Sequence, residues 1–168
     1  MQFGTFSEFL SQINGVTLAM IGAAVAALLP GLGSAKAVRN VGVASSAILA
    51  EDPSKFGSTL LLQALPGTQG IYGLVTAFLV MFKIGVLGDL SALETWQGTF
   101  YLVACLPIAV VGYFSAVYQA KVCVSGVNLL SKRPGEVGKA ITSAALVETY
   151  AILALLISLI PVLFASFN

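Results

Sequence analysis

The chain has 168 residues, 58% of them hydrophobic and only 9% charged, with a formal net charge of +1 and a mean hydropathy of +0.97. Soluble domains carry about 25% charged residues, so this composition indicates an integral membrane protein. Apolar segments take up nearly the whole sequence, leaving no room for a soluble domain, a nucleotide-binding loop or an extramembrane catalytic site; no nucleic-acid partner is expected.

The first apolar segment, Phe9–Ala35, follows the stretch MQFGTFSEF, whose only charge is Glu8. A signal peptide has a basic start, so a retained helix is expected. Small residues recur at every fourth position: Gly15, Ala19, Ala23, Ala27, Gly31 and Ala35. Such a stripe lets backbones approach closely. It suits either a tight monomeric bundle or the inner wall of a ring in which first and third helices lie side by side. The second segment is Phe56–Phe82. The third, Thr95–Ala120, keeps part of the stripe at Ala104, Gly112 and Ala116. The fourth, Ala140–Asn168, carries one charge, Glu148. At about 1.5 Å per residue each exceeds a hydrocarbon core of about 30 Å. The expected fold is an all-α membrane protein of four transmembrane helices.

Seven of the eight basic residues (Lys36, Arg39, Lys55, Lys121, Lys132, Arg133 and Lys139) are expected around the first and third connections, with Lys83 apart. The positive-inside rule then places those connections in the cytoplasm and both termini outside, in a multi-pass protein of a bacterial plasma membrane. Histidine, the commonest proton relay, is absent. Cys105 and Cys123 read as packing residues rather than a disulfide or metal pair.

Shifting the sequence by 81 positions superposes Gly31, Ser34 and Ala35 on Gly112, Ser115 and Ala116, Pro53 and Gly57 on Pro134 and Gly138, and Ala64-Leu65 on Ala145-Leu146. Thr68 and Ile71 fall on Thr149 and Ile152. The offset spans two helices and two turns, so the halves are parallel repeats of one hairpin, residues 1–83 and 84–168. Glu148 aligns with Gly67, so the two hairpins share one carboxylate.

A charge near the bilayer centre costs about 2.5–3.5 kcal/mol on insertion scales and usually marks an ion or substrate path. Leu65, Thr68, Gln69 and Tyr72 lie at i, i+3, i+4 and i+7 on one helix face. Gln119 is 14 residues before Arg133 and Glu148 is 15 after it, so a hairpin turning there brings them to one depth. Thr68 and Gln69 lie at a similar distance beyond Pro53. Singly, Thr68, Gln69 and Gln119 read as interhelical hydrogen-bonding glue, worth about 0.6 kcal/mol each. Their shared layer with Glu148 points instead to an oxygen-rich shell for a hard cation. Pro66 removes a backbone donor and frees the carbonyl near Leu62. Tyr72, one turn on, can donate to the carboxylate or simply fill space. No Lys or Arg is expected near this layer, so Glu148 must be neutralised by a proton, a bound cation or a basic residue of another chain.

The segments Leu65-Pro-Gly-Thr-Gln-Gly-Ile-Tyr-Gly73, Gln119-Ala-Lys121 and Leu146-Val-Glu-Thr-Tyr-Ala-Ile152 resemble the four-helix proteolipid (c or K) subunit of V/A-type rotary ATPases, over essentially the whole chain. The resemblance implies a homo-oligomeric rotor ring in the lipid bilayer, a stator subunit with a basic residue, central-stalk subunits, and ATP chemistry in other subunits. In sodium-translocating members it implies Na+ ligands at Glu148, Gln119, Thr68, Gln69 and the Leu65 carbonyl, with Tyr72 hydrogen-bonded to the carboxylate. The Leu62 carbonyl stays open beside that of Leu65. Two amide carbonyls and a threonine exceed what a proton needs, which favours Na+ over H+ as the ion carried. A small cation or multidrug antiporter built on one glutamate is the competing expectation, and a purely structural tetraspan protein a third.

Overall fold

A computed structural model describes residues 13–90 and 92–167. Among the described residues, four helices are each long and apolar enough to cross a membrane: α1 (Gly15–Glu51), α2 (Pro53–Lys83), α3 (Thr95–Lys132) and α4 (Pro134–Phe164). Among the described residues there is no strand. Asn14 starts α1, its side chain accepting the Thr17 amide at 2.9 Å. Pro53 and Pro134 stop α1 and α3, since neither can continue the helical hydrogen-bond ladder, and each opens a short 3-10 turn into the next helix. At the first turn the Asp52 carboxylate accepts from the Ser54 hydroxyl (2.6 Å) and amide (3.1 Å), which holds its carboxyl below the usual range. Between α2 and α3 the chain turns at Gly85, whose φ of +78° is open to glycine at little cost. A capping box of Glu94 and Gln97 then begins α3.

Two expectations need correction. First, α1 and α3 run for 37 and 38 residues, well past the ends of their apolar segments. Lys and Arg are good helix formers, so a charge ends the apolar stretch without ending the helix. Lys36, Arg39 and Lys121 therefore lie inside helices, about three turns or more before the connections. At a rise of about 1.5 Å per residue, Lys121 is about 18 Å from its turn and Glu148 about 22 Å, so the layer does hold basic residues. They sit on exposed positions, and the ion pairs among the described residues are Lys55–Asp52 and Lys139–Glu136, neither involving Glu148.

Second, the every-fourth-residue stripe leaves the buried face. A step of four residues turns a helix by about 400°, so the line drifts by about 40° each time; Gly31 is half-buried and Ala35 exposed. The face that is buried mixes steps of three and four: Gly15, Ala19, Gly22, Ala26, Pro30, Gly33, Ala37, Val41. Against it lies α3. A Cβ added at Gly22 would stand 2.7 Å from the Leu102 Cα, and one at Gly33 2.8 Å from the Tyr113 carbonyl oxygen. The two helices are in backbone contact, which only glycine permits.

This contact makes a prediction. Gly33→Ala must push backbone aside and should destabilise the solubilised protein by about 1–3 kcal/mol. Gly138→Ala meets nothing within 4 Å, and should stabilise by up to about 1 kcal/mol through helix propensity. Thermal unfolding of both variants measures the difference; equal shifts would mean that α1 and α3 do not touch there.

Elsewhere the bundle is tied by Ser158, whose hydroxyl oxygen accepts the Ile108 amide at 3.1 Å beside Pro107 of α3. Phe167 closes one end, edge-on to Trp96, Phe100 and Tyr101. Cys105 and Cys123 are free and buried.

Candidate functional site

Pro66 interrupts α2, and the backbone tightens to a 3-10 turn over Leu65–Gly67 before the helix resumes at Thr68. Irregular backbone at membrane depth is tolerated where protein buries it. The resumed helix aims Thr68, Gln69 and Tyr72 at the cleft between α3 and α4. There the half-buried Glu148 meets them. Thr68 Oγ1 lies 2.7 Å and the Tyr72 hydroxyl 2.6 Å from Glu148 Oε1. The second oxygen, Oε2, takes a long hydrogen bond of 3.4 Å from Gln119 Nε2. Thr68 Oγ1 is also 3.0 Å from the Leu65 carbonyl, so its one proton serves either acceptor. Leu65, Thr68, Gln69, Tyr72, Gln119 and Glu148 thus form one cluster drawn from three helices.

The orientation of the two amides follows from their neighbours. Gln119 faces two groups that only accept, the Ala144 carbonyl at 3.0 Å and the Glu148 carboxylate, so it must turn its NH2 toward them. Its carbonyl then faces Gln69, which answers with its own NH2 at 2.6 Å. What remains is Gln69 Oε1: buried, with no hydrogen-bond partner. Leaving a buried acceptor unsatisfied costs about 1–3 kcal/mol. An oxygen in that condition, one amide removed from a carboxylate, fits a cation.

Two serines in this cluster escaped the sequence reading. Ser115 Oγ receives a long contact from Gln69 Nε2 (3.4 Å) and donates to the Val147 carbonyl at 3.1 Å, one residue before Glu148. Ser34 Oγ accepts the Gly70 amide at 2.9 Å and so ties α1 to the broken stretch of α2. The signal was present: Ser34 and Ser115 superpose in the 81-residue repeat and are buried polar residues in apolar helices. Serine is common in such helices, and only the fold shows which ones touch a site.

The donor set has one formal negative charge and otherwise neutral oxygens. A divalent ion would keep a net positive charge in a medium of low dielectric, where an unbalanced charge is expensive; a monovalent cation is neutralised. Hard oxygen donors suit an alkali ion rather than a soft metal.

The family model for the C subunit of ATP synthase matches residues 21–80 and 102–160, once over each pair of helices. The chain is 45% identical over 154 residues to the V-type sodium ATPase subunit K of Enterococcus hirae, covering 92% of this chain and 96% of that one. It is 32% identical over 148 residues to the A-type ATP synthase subunit K of Methanocaldococcus jannaschii, covering 88% of this chain and 63% of that longer one.

Proposed function

The chain belongs to the ATP synthase C-subunit family, and from that premise we propose that it is the rotor-ring proteolipid of a V-type ATPase and carries Na+ across the membrane at Glu148. It is an ion-translocating subunit; ATP is hydrolysed or made by other subunits of the complex. Its two hairpins, residues 1–83 and 84–168, act as one unit of the ring.

The observation that carries the reading is Gln69 Oε1, a buried oxygen with no donor in the cluster that joins Gln69 through Gln119 to Glu148. Na+ entering between them gains Glu148, Gln69, Thr68, Gln119 and the Leu65 carbonyl as ligands, while Tyr72 keeps its hydrogen bond and fixes the carboxylate. Binding cancels the charge of Glu148. The loaded site then crosses the lipid-facing arc of rotation without the roughly 2.5–3.5 kcal/mol that a bare charge costs at the bilayer centre. At the stator, a basic residue of another subunit favours the empty carboxylate, and the ion leaves. Lys55, Lys132, Arg133 and Lys139 flank the two proline turns against Lys83 at the middle connection, which supports a cytoplasmic side for those turns. The central-stalk subunits would dock there. Membership of this family sets aside the antiporter.

The test is protection. A hydrophobic carbodiimide modifies a protonated membrane carboxyl, so it should label Glu148 in the assembled complex, and millimolar Na+ at fixed pH should slow that labelling where K+ does not. Labelling indifferent to Na+ would return the proton as the ion carried.

A further inference from the structure

The Gln69 amide stands between two acceptors on one face of α3. Its NH2 is 2.6 Å from Gln119 Oε1 and 3.4 Å from Ser115 Oγ, and those two residues are one helical turn apart. Gln119 holds the near position and Ser115 the far one. The other contact of Ser115 fixes what it can offer. Its one proton goes to the Val147 carbonyl at 3.1 Å, so only lone pairs remain for an amide. Its counterpart in the 81-residue repeat, Ser34, is used differently: there the oxygen accepts the Gly70 backbone amide at 2.9 Å. Ser115 and Gln69 are both buried, which shields their contact from bulk water. The arrangement is one step short of a cation site. While Gln69 donates to Gln119 Oε1, an ion approaching that oxygen meets the positive NH2 end of an amide, and Gln69 Oε1 has no partner. A single movement removes both faults. Turning the Gln69 amide about its terminal bond takes the NH2 off Gln119 and onto Ser115. The two ends of an amide swing in opposite senses, so Oε1 turns toward Gln119 and the ion. The shift at Ser115 is small, since about 0.5 Å brings the contact from 3.4 Å to the usual hydrogen-bond length.

Resting on the Na+ reading above, we infer that Ser115 is a positioning residue of the ion site: its hydroxyl takes over the Gln69 NH2 when the ion enters, which releases Gln119 Oε1 and Gln69 Oε1 together for the cation. In the empty site the two amides are bonded to each other. In the loaded site each NH2 is held by an acceptor outside the ion's shell, Ser115 Oγ for Gln69 and the Ala144 carbonyl for Gln119, the latter already at 3.0 Å. Through its bond to the Val147 carbonyl, Ser115 is also tied to the turn of α4 that carries Glu148, so the acceptor and the carboxylate keep their register. Without the hydroxyl, the loaded state would hold a buried N–H with no acceptor, and such a group is costly. The empty state would not, because Gln69 keeps its bond to Gln119. Loss of Ser115 therefore weighs on ion binding more than on the empty fold.

Protection of Glu148 against carbodiimide by Na+, measured in the assembled complex, reads this out. In Ser115→Ala the Na+ concentration for half-protection should rise about tenfold, equivalent to 1.4 kcal/mol. Ser115→Thr keeps the hydroxyl and should be protected at the concentration that protects the unsubstituted ring, within about a factor of two. A double variant identifies the route. With no amide to receive, Ser115→Ala should add nothing to the effect of Gln69→Leu alone, whereas a residue that merely supports the packing would add its full effect. Three results overturn the positioning role and leave the Na+ reading standing: a Ser115→Ala ring protected at the unsubstituted concentration; a Ser115→Thr ring of unchanged melting temperature that needs as much Na+ as Ser115→Ala; or a tenfold effect that persists in the Gln69→Leu background. Labelling of the unsubstituted ring that ignores Na+ overturns both.

Discussion

A Glu148→Gln ring should assemble at its normal mass and transport nothing. The carboxamide has nearly the size of the carboxylate, and its oxygen still accepts from the Tyr72 and Thr68 hydroxyls, which lie 2.6 and 2.7 Å from Glu148 Oε1. Packing is therefore kept. What disappears is the single negative charge of the cluster. Without it a bound Na+ would retain its full charge among neutral dipoles in a low-dielectric layer, and uncompensated buried charge costs about 3–5 kcal/mol when one partner is removed. At 1.4 kcal/mol per tenfold, affinity falls by at least about a hundredfold. The measurement is Na+ uptake into vesicles containing the whole complex, with ring mass determined on the same sample. Transport within a factor of two of the unsubstituted protein would show that Glu148 is structural, and the rotor mechanism would lose its charge carrier.

Much of this site is legible in the sequence because two short-range rules suffice. Helical spacing places Leu65, Thr68, Gln69 and Tyr72 on one face, and counting residues outward from each proline turn brings Gln119 and Glu148 to one depth. Both rules depend only on helix rise and on where proline stops the ladder. The extent of α1 and α3 is not legible from hydropathy, since Lys36, Arg39 and Lys121 end an apolar run while favouring the helix that contains them. Nor is the real inter-helix face. An every-fourth-residue stripe looks continuous in sequence and spirals away in space, and the glycines that matter, Gly22 and Gly33, stand out only once Leu102 and Tyr113 lie opposite them. The direction of each amide needs three dimensions as well, because it follows from whether the facing groups donate or accept.

The amide direction supplies the second large effect. Gln69→Leu should lower the affinity for Na+ by about 10- to 100-fold, or 1.4–2.8 kcal/mol, while changing the stability of the empty protein by less than about 1 kcal/mol. Two opposed terms lie behind the small stability change. The substitution leaves Gln119 Oε1 buried without its donor, a cost of about 1–3 kcal/mol, and it removes Gln69 Oε1, an unsatisfied buried oxygen whose relief is worth about 1–3 kcal/mol. The two offset each other, so the sum stays near zero. For the ion there is no such cancellation: the one ligand oxygen that nothing else occupies is lost. If Gln69 were only glue between α2 and α3, the pattern would invert, with a clear loss of stability and an unchanged ion affinity. Na+ protection of Glu148 against carbodiimide gives the affinity, and thermal unfolding in Na+-free buffer gives the stability. A variant that melts early yet is protected at the same Na+ concentration as the unsubstituted chain would assign Gln69 to packing and leave the ion site without its unclaimed oxygen.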